Sequence, residues 1–400
     1  TGPAAQRPDG PNGRRQRLNA ATRSTLLRLI GAQVCVHAGM TGFRMAAPLM
    51  ALREGHSAVA VGVLLALFAL AQVFLALPAG RFAERHGLFK PFALASATAT
   101  AGGLMAVAWP HFGVLCATAL CSGAAVCVAM IALQRHAGHL AGNAAELRQV
   151  FSWVAIGPSV SNFLGPFLAG LAIDASGFRF AYLLLALLPS MAWWWVRRIP
   201  EIPREGPAAA GGHGSAWNLL RDRSFRHLML VNWLLSSCWD VHTFLVPVLG
   251  HERGYAATVI GSILGAFAVA ATVIRLALPI LAARLREASV IAGAMVCTAL
   301  LFALYPLFTA AWAMGLLSVL LGLALGSVQP MVMSTLHQIT PKSRHGEALA
   351  LRSMAINGSS VLMPLLFGSA GLVIGAGGVF WVVGALVGSG SVLAWRLRSP

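Results

Sequence analysis

The sequence predicts an all-α integral membrane protein of twelve transmembrane helices arranged as two pseudo-symmetric six-helix bundles. Three observations predict it. The 400 residues are 58% hydrophobic and only 10% charged, with a mean hydropathy of +0.74, far from the balance of a soluble domain. A bilayer core of about 30 Å needs roughly 20 apolar residues per helix, and twelve such runs occur, near 26–50, 58–79, 91–109, 113–133, 151–173, 180–196, 228–249, 257–281, 289–307, 311–334, 349–372 and 376–395. Finally, a polar stripe recurs 199 residues on: Gln33, His37, Thr41, Arg44 and Pro48 are matched by Asn232, Ser236, Asp240, Thr243 and Pro247.

Taken in order, a basic tail (1–25) leads into the first bundle (26–196). Its first run carries the first stripe, whose offsets place it on one helical face. This run is about twice as long as the apolar core of a secretory signal, so it reads as a retained helix. The sixth run ends in Trp193, Trp194 and Trp195 followed by Arg197 and Arg198, an aromatic belt with a basic anchor at one interface. A linker (197–227) follows, with Pro200, Pro203 and Pro207, an Ala/Gly stretch, and an amphipathic segment from Trp217 to Phe225 that reads as a surface helix. The second bundle (228–395) opens on the second stripe, and a short tail (396–400) closes the chain. Gly55 and Gly62 recur as Gly254 and Gly261, so the register persists beyond the stripes. Duplicated polar faces inside membrane-grade sequence imply two halves sharing a wet path, as in secondary transporters.

A net charge of +17 raises the question of nucleic acid, and the positions of the 29 basic residues answer it. With the amino terminus inside the cell, 24 fall on the inner side, Arg53, Arg179 and Arg253 fall outside, and Arg44 and Arg275 lie within spans. That asymmetry is the positive-inside pattern, with both termini cytoplasmic. The six cysteines all fall in predicted spans without metal-type spacing and read as packing residues.

Two segments carry a family resemblance. Gly80-Arg81-Phe82-Ala83-Glu84-Arg85-His86-Gly87 resembles the loop signature that follows the second span in the major facilitator superfamily, with Glu84 where that signature has Asp. Gly165-Pro166-Phe167-Leu168-Ala169-Gly170, with Gly157-Pro158 ahead of it, resembles the glycine-proline motif of the superfamily's antiporters. Ala119 stands where the proton-drug antiporters carry an arginine, and Pro341 to Glu347 resembles the superfamily's inner loop between spans ten and eleven. The resemblance implies alternating access, with substrate held between the first, fourth, seventh and tenth spans. It also implies gating roles for Gly80, Glu84, Arg85, Gly87, Gly165 and Pro166. In purely physical terms, the first segment is equally a solvated basic turn, and the second equally a site of close helix packing and bending.

Asp240 is the acidic residue within a predicted span core, where a charge costs roughly 2.5–3.5 kcal/mol on insertion scales. A carried proton removes that cost, so Asp240 reads as a proton-coupling residue, or else as a structural partner of an arginine. His37 is either a relay for the same proton or a packing partner. Arg44 either binds an anionic group, pairs with Asp240, or snorkels outward. His242, two residues from Asp240, points to another face and forms no dyad with it. Gln33, Thr41, Asn232, Ser236 and Thr243 complete the candidate substrate face, with Asn162, Gln329 and Asn357, and Ser360 beside it, as further lining candidates.

No phosphate-binding Gly-Lys motif, nucleophile elbow or zinc-binding His-Glu-x-x-His helix occurs, so the sequence points away from an enzyme and away from ATP-driven transport. The expected protein is a monomeric, multi-pass carrier of the cell inner membrane, with no cofactor, metal or catalytic residue. Its expected partners are a small-molecule substrate, protons and the lipid bilayer, not nucleic acid. Proton-coupled export of a small amphipathic or anionic compound leads. Uptake of an organic anion by proton symport, and a non-transporting sensor with the same fold, are the alternatives.

Overall fold

In lipid every backbone N–H and C=O needs a partner within the protein, which leaves a chain of this hydropathy little choice but long helices. The computed structural model describes residues 20–140, 146, 150–151, 153–200, 216–281, 286–341 and 344–395. Most of the basic tail, the Pro203 and Pro207 stretch of the linker, Lys342 and Ser343 in the loop before span eleven, and 396–400 lie outside them.

The first four helices are α1 (Ala20–Arg53), α2 (Ala58–His86), α3 (Phe89–Ala108) and α4 (Phe112–His139). The run Ile156–Val196 turns sharply at Gly177 (φ 81°), giving α5 before the turn and α6 after it. Then come α7 (Arg223–Glu252), α8 (Ala257–Leu281), α9 (Glu287–Leu304) and α10 (Ala311–Ile339). The run His345–Trp395 turns at Gly375 (φ 70°) into α11 and α12. Twelve long helices result among the described residues, which contain no strand. Large apolar side chains such as Phe74, Trp312 and Val373 point outward, as a lipid-facing surface requires.

The tight turns obey the duplication. Gly55 (φ 83°) joins α1 to α2 as Gly254 (φ 70°) joins α7 to α8, and Gly177 matches Gly375. Only glycine adopts this left-handed backbone without strain. All four lie at one end of the molecule, the turn end, which is the outer end in the orientation expected from the charges.

α7 departs from the other helices. It alone among the described long helices falls short of membrane-grade hydropathy, because its stripe of Asn232, Ser236, Asp240 and Thr243 is joined by Ser237 and His242. It is tolerated because it is enclosed: from Val241 to Gly250 every residue but Thr243 is buried. Asp222 starts it, its side chain accepting the Phe225 N–H at 2.7 Å. Before that cap the expected surface helix is a short 3-10 turn, Ala216–Arg221, with Trp217 exposed and Leu219 buried.

The segment expected as a loop after the second span is helical instead. Gly80 to His86 forms the last two turns of α2, and Gly87 (φ 72°) ends it, its N–H donating to the Ala83 carbonyl. Ala83, Glu84 and Arg85 are good helix formers, so the chain extends the helix until the glycine that can reverse it. At the end of α6, the Arg197 guanidinium lies 3.3 Å from the Trp194 ring centroid, and Trp194 and Trp195 are exposed as an interfacial belt would be.

The two bundles meet through glycines near the turn end. Gly261 of α8 rests on the Pro166 carbonyl of α5, and Gly62 of α2 rests on the Pro364 carbonyl of α11, with no room for a Cβ at either. One turn further out, a Cβ on Gly170 would sit 2.5 Å from the Ala257 carbonyl oxygen, and one on Gly368 would sit 2.7 Å from that of Ala58. These are two copies of one contact. To the α5–α8 copy the chain adds Asp174, whose carboxylate accepts the N–H groups of Ala257 (3.1 Å) and Thr258 (2.7 Å) at the start of α8. Those N–H groups have no partner within their own helix.

Candidate functional site

A cavity of about 270 Å³ lies between the bundles. His37, Met40, Thr41 and Arg44 line it from α1, and Pro158 and Asn162 line it from α5. From the other bundle come Asn232, Ser236, Trp239 and Asp240 of α7, Gln329 of α10, and Ile356 and Ser360 of α11. A smaller hollow of about 50 Å³ shares Thr41, Arg44, Asn162 and Trp239 with it, and adds Thr243, Phe267 and Pro166. The duplicated stripe therefore forms two facing walls. Its helical period put its residues on one side of each helix, and the pseudo-twofold axis turned those sides toward each other.

Asp240 is 6% exposed and is held by α11: Ser360 Oγ donates to its two oxygens at 3.3 and 3.4 Å, and Ser359 Oγ donates at 3.3 Å. Ser237 Oγ lies 3.2 Å from Ser359 Oγ and extends the network. Arg44 shares the cavity with Asp240, but among the described residues no ion pair joins them within 4.0 Å. The guanidinium therefore remains available on the cavity wall.

Several expected residues lie elsewhere. Gln33 is buried outside the cavity, filling the space left by Gly157 of α5, where a Cβ would sit 2.7 Å from its amide carbon. Asn357 is half-buried and does not line the cavity, because Ile356 and Ser360 take the inward positions of α11. His242 Nε2 bonds to Ser318 Oγ at 2.9 Å and its ring stacks 4.2 Å from Phe267, so it belongs to the packing of its own bundle. The fourth span supplies none of the described lining residues; α5 stands in its place. Thr41 reaches α5 directly, donating to the Ser161 carbonyl at 2.9 Å.

Of the residues expected at the gates, Gly165 leaves no space for a side chain against Thr41 and the Ala38 carbonyl, which seats α5 on α1. Pro166 lies on the seam. Glu84 and Arg85 are exposed and join no described hydrogen bond or ion pair, and nothing lies within 4 Å of a Cβ added to Gly80. The glycine contacts thus hold the bundles together at the turn end, while at the other end of α2 Glu84 and Arg85 are exposed and unpaired among the described residues.

Four residues of this architecture were absent from the sequence expectation. Trp239 lines both hollows and carries the Arg275 guanidinium 5.6 Å from its ring centroid. Ser359 helps hold Asp240. Arg352 of α11 donates from Nε to Asn232 Oδ1 at 3.3 Å and from a terminal nitrogen to Gln329 Oε1. Asp174 caps α8. Arg352 lies three residues into a predicted span, where it resembles any inner basic anchor, and its partners are 120 and 23 residues away.

The Major Facilitator Superfamily description matches residues 29–336 and again 228–400. The chain belongs to that superfamily. A search against curated proteins found no match. Among solved structures, this superfamily member is similar to a mutant of the nucleoside transporter NupG, with a TM-score of 0.78 at 14% identity over 93% of this chain and 98% of that one. A bacterial homologue of the human lysosomal transporter Spinster, in an inward-facing and unoccupied conformation, gives a TM-score of 0.76 at 11% identity over 95% and 98%. The human organic anion transporter MFSD10 gives 0.66 at 17% identity over 94% and 100%. At these identities the likeness is one of fold, the multi-pass helical fold of the superfamily.

Proposed function

We propose that this chain is a proton-coupled secondary transporter of small organic anions in the cell inner membrane, with both termini cytoplasmic, working as a monomer by alternating access. The observation that carries this reading is that Arg44 and Asp240 face one cavity from opposite bundles without forming an ion pair. An ionised Asp240 offsets the Arg44 charge across the cavity, whereas a protonated Asp240 leaves that charge for an anion. Proton and anion then bind together. His37, on the same face as Arg44, serves the proton's route, while Thr41, Asn162, Asn232, Ser236, Thr243 and Gln329 supply polar contacts to the cargo. Co-binding makes inward symport the direction driven by a proton gradient.

Export of an amphipathic compound in exchange for protons is the second reading. It is favoured by the antiporter-like Gly165-Pro166 segment, whose proline lies on the seam that must open. In either case the conformation with the turn end closed is the inward-facing one. At the inner face, Glu84 and Arg85 engage the opposite bundle when the cycle reverses, with Gly80 and Gly87 setting the geometry of that segment.

Proteoliposomes loaded with a pH-sensitive dye test the reading. Adding external organic anions to the native protein should acidify the lumen, and neither Asp240→Asn nor Arg44→Ala should show that acidification. Lumenal alkalinisation on cargo entry would establish exchange in place of symport, and native behaviour in both variants would remove the reading altogether.

A further inference from the structure

A second cation, Arg352, stands behind the cavity wall, bonded to two of its lining residues. It sits on α11, half-buried, and its guanidinium is held by two neutral amide oxygens, Oδ1 of Asn232 and Oε1 of Gln329, both on residues that line the cavity. Among the described residues it forms no ion pair. A guanidinium has five N–H donors, so most remain after those two bonds. Beside it the Asn232 side chain is 3% exposed, and its Nδ2, turned from the oxygen that serves Arg352, has no hydrogen-bond partner. A buried amide N–H left unpaired is costly, and an unpaired cation in a membrane protein more so. Together the guanidinium and the free amide N–H offer donors and positive charge, which is the chemistry of a site for a carboxylate or a phosphate.

The position of this cluster sets the class of cargo. Asn232 and Thr243 mark the two ends of the α7 stripe, eleven residues or about 16 Å of helix apart. Arg352 is tied to the Asn232 end, whereas Arg44 shares the smaller hollow with Thr243 at the other. Asp240 lies between them. With Asp240 protonated two separated cations remain, Arg44 on the cavity wall and Arg352 behind Asn232 and Gln329, and the third nearby, Arg275, lies against Trp239. Building on the anion-symport reading above, we infer that Arg352 and the amide of Asn232 form a second anion subsite, and that the cargo is a small organic dianion with one charged group on Arg44 and the other on Arg352.

The test uses the purified full-length protein and two probe series, straight-chain monocarboxylates and α,ω-dicarboxylates of increasing length, with binding followed by thermal shift and by competition. The native protein should bind one or two dicarboxylate lengths about tenfold or more tightly than the matching monocarboxylates, since a second charge-assisted bond is formed. Arg352→Gln should bring dicarboxylates down to monocarboxylate affinity, while Arg352→Lys, which keeps the charge, should retain part of the preference and shows that the helix tolerates substitution. Equal affinity for both series in the native protein, an undiminished preference in Arg352→Gln, or no binding by any probe would overturn the subsite. Failure of the parent reading looks different: there Arg44→Gln would leave binding of both series unchanged.

Discussion

Gly261 of α8 lies directly on the carbonyl oxygen of Pro166 in α5, and no Cβ fits between them. Gly62 and Pro364 make the same contact on the other side of the pseudo-twofold axis. Because both carbonyls are backbone atoms, a side chain at either glycine has to push the bundles apart. Gly62→Leu or Gly261→Leu should cost the closed turn end about 1–3 kcal/mol. With a reporter Thr243→Cys, labelling by an impermeant maleimide from the turn side should rise in both variants. It should stay at the native level in Gly113→Leu, where an added Cβ meets nothing within 4 Å.

Asp174 closes the same end by electrostatics and hydrogen bonding, taking two backbone N–H groups of α8 from across the seam. Removing a helix cap costs about 1 kcal/mol, so Asp174→Ala should lower the thermal midpoint in detergent and raise Thr243→Cys labelling. Asp174→Asn keeps an oxygen acceptor and should recover most of both. Equal behaviour of the two variants would mean that the cap does not hold the seam.

Gly80 and Gly165 both belong to family-like segments, yet they should respond oppositely to alanine. Gly165 is wedged against Thr41 and the Ala38 backbone, so Gly165→Ala should destabilise by about 1–3 kcal/mol. Gly80 sits near the end of α2 with open space around it, so Gly80→Ala should raise stability by about 0.5–1 kcal/mol. Denaturation in matched detergent decides the signs.

Glu84 and Arg85 are exposed and unpartnered among the described residues in this conformation. Glu84→Gln should therefore change its stability by less than about 0.5 kcal/mol. If the segment locks the opposite state, the same variant should slow transport measurably in reconstituted vesicles. A large loss of stability would show a partner in this state.

The two facing walls were legible from the sequence because they obey a period: His37, Thr41 and Arg44 share a helix face by spacing alone, and duplication repeats that face at Ser236, Asp240 and Thr243. The twelve helices were legible for the same reason, hydropathy being a local property. Contacts between distant segments leave no such trace. Arg352 reads as one more inner basic residue until the fold brings Asn232 to it, and Asp174 reads as a residue at a span's end until α8 begins beside it. Gln33 shows the converse. Its period is right, but Gly157 opens a hole in α5 that its side chain fills, so it packs instead of lining the cavity. The extension of α2 through Glu84 and Arg85 follows from helix propensity, to which a loop signature is blind.

The central claim is that Asp240 carries the coupled proton across a cavity shared by both bundles. Its most direct test compares two fluxes in the same proteoliposomes: exchange of labelled cargo at equal pH on both sides, and accumulation driven by an imposed pH gradient. Asp240→Asn should retain exchange and lose accumulation, since the neutral amide mimics the protonated carboxyl but cannot release a proton. Full gradient-driven accumulation in Asp240→Asn would contradict the account.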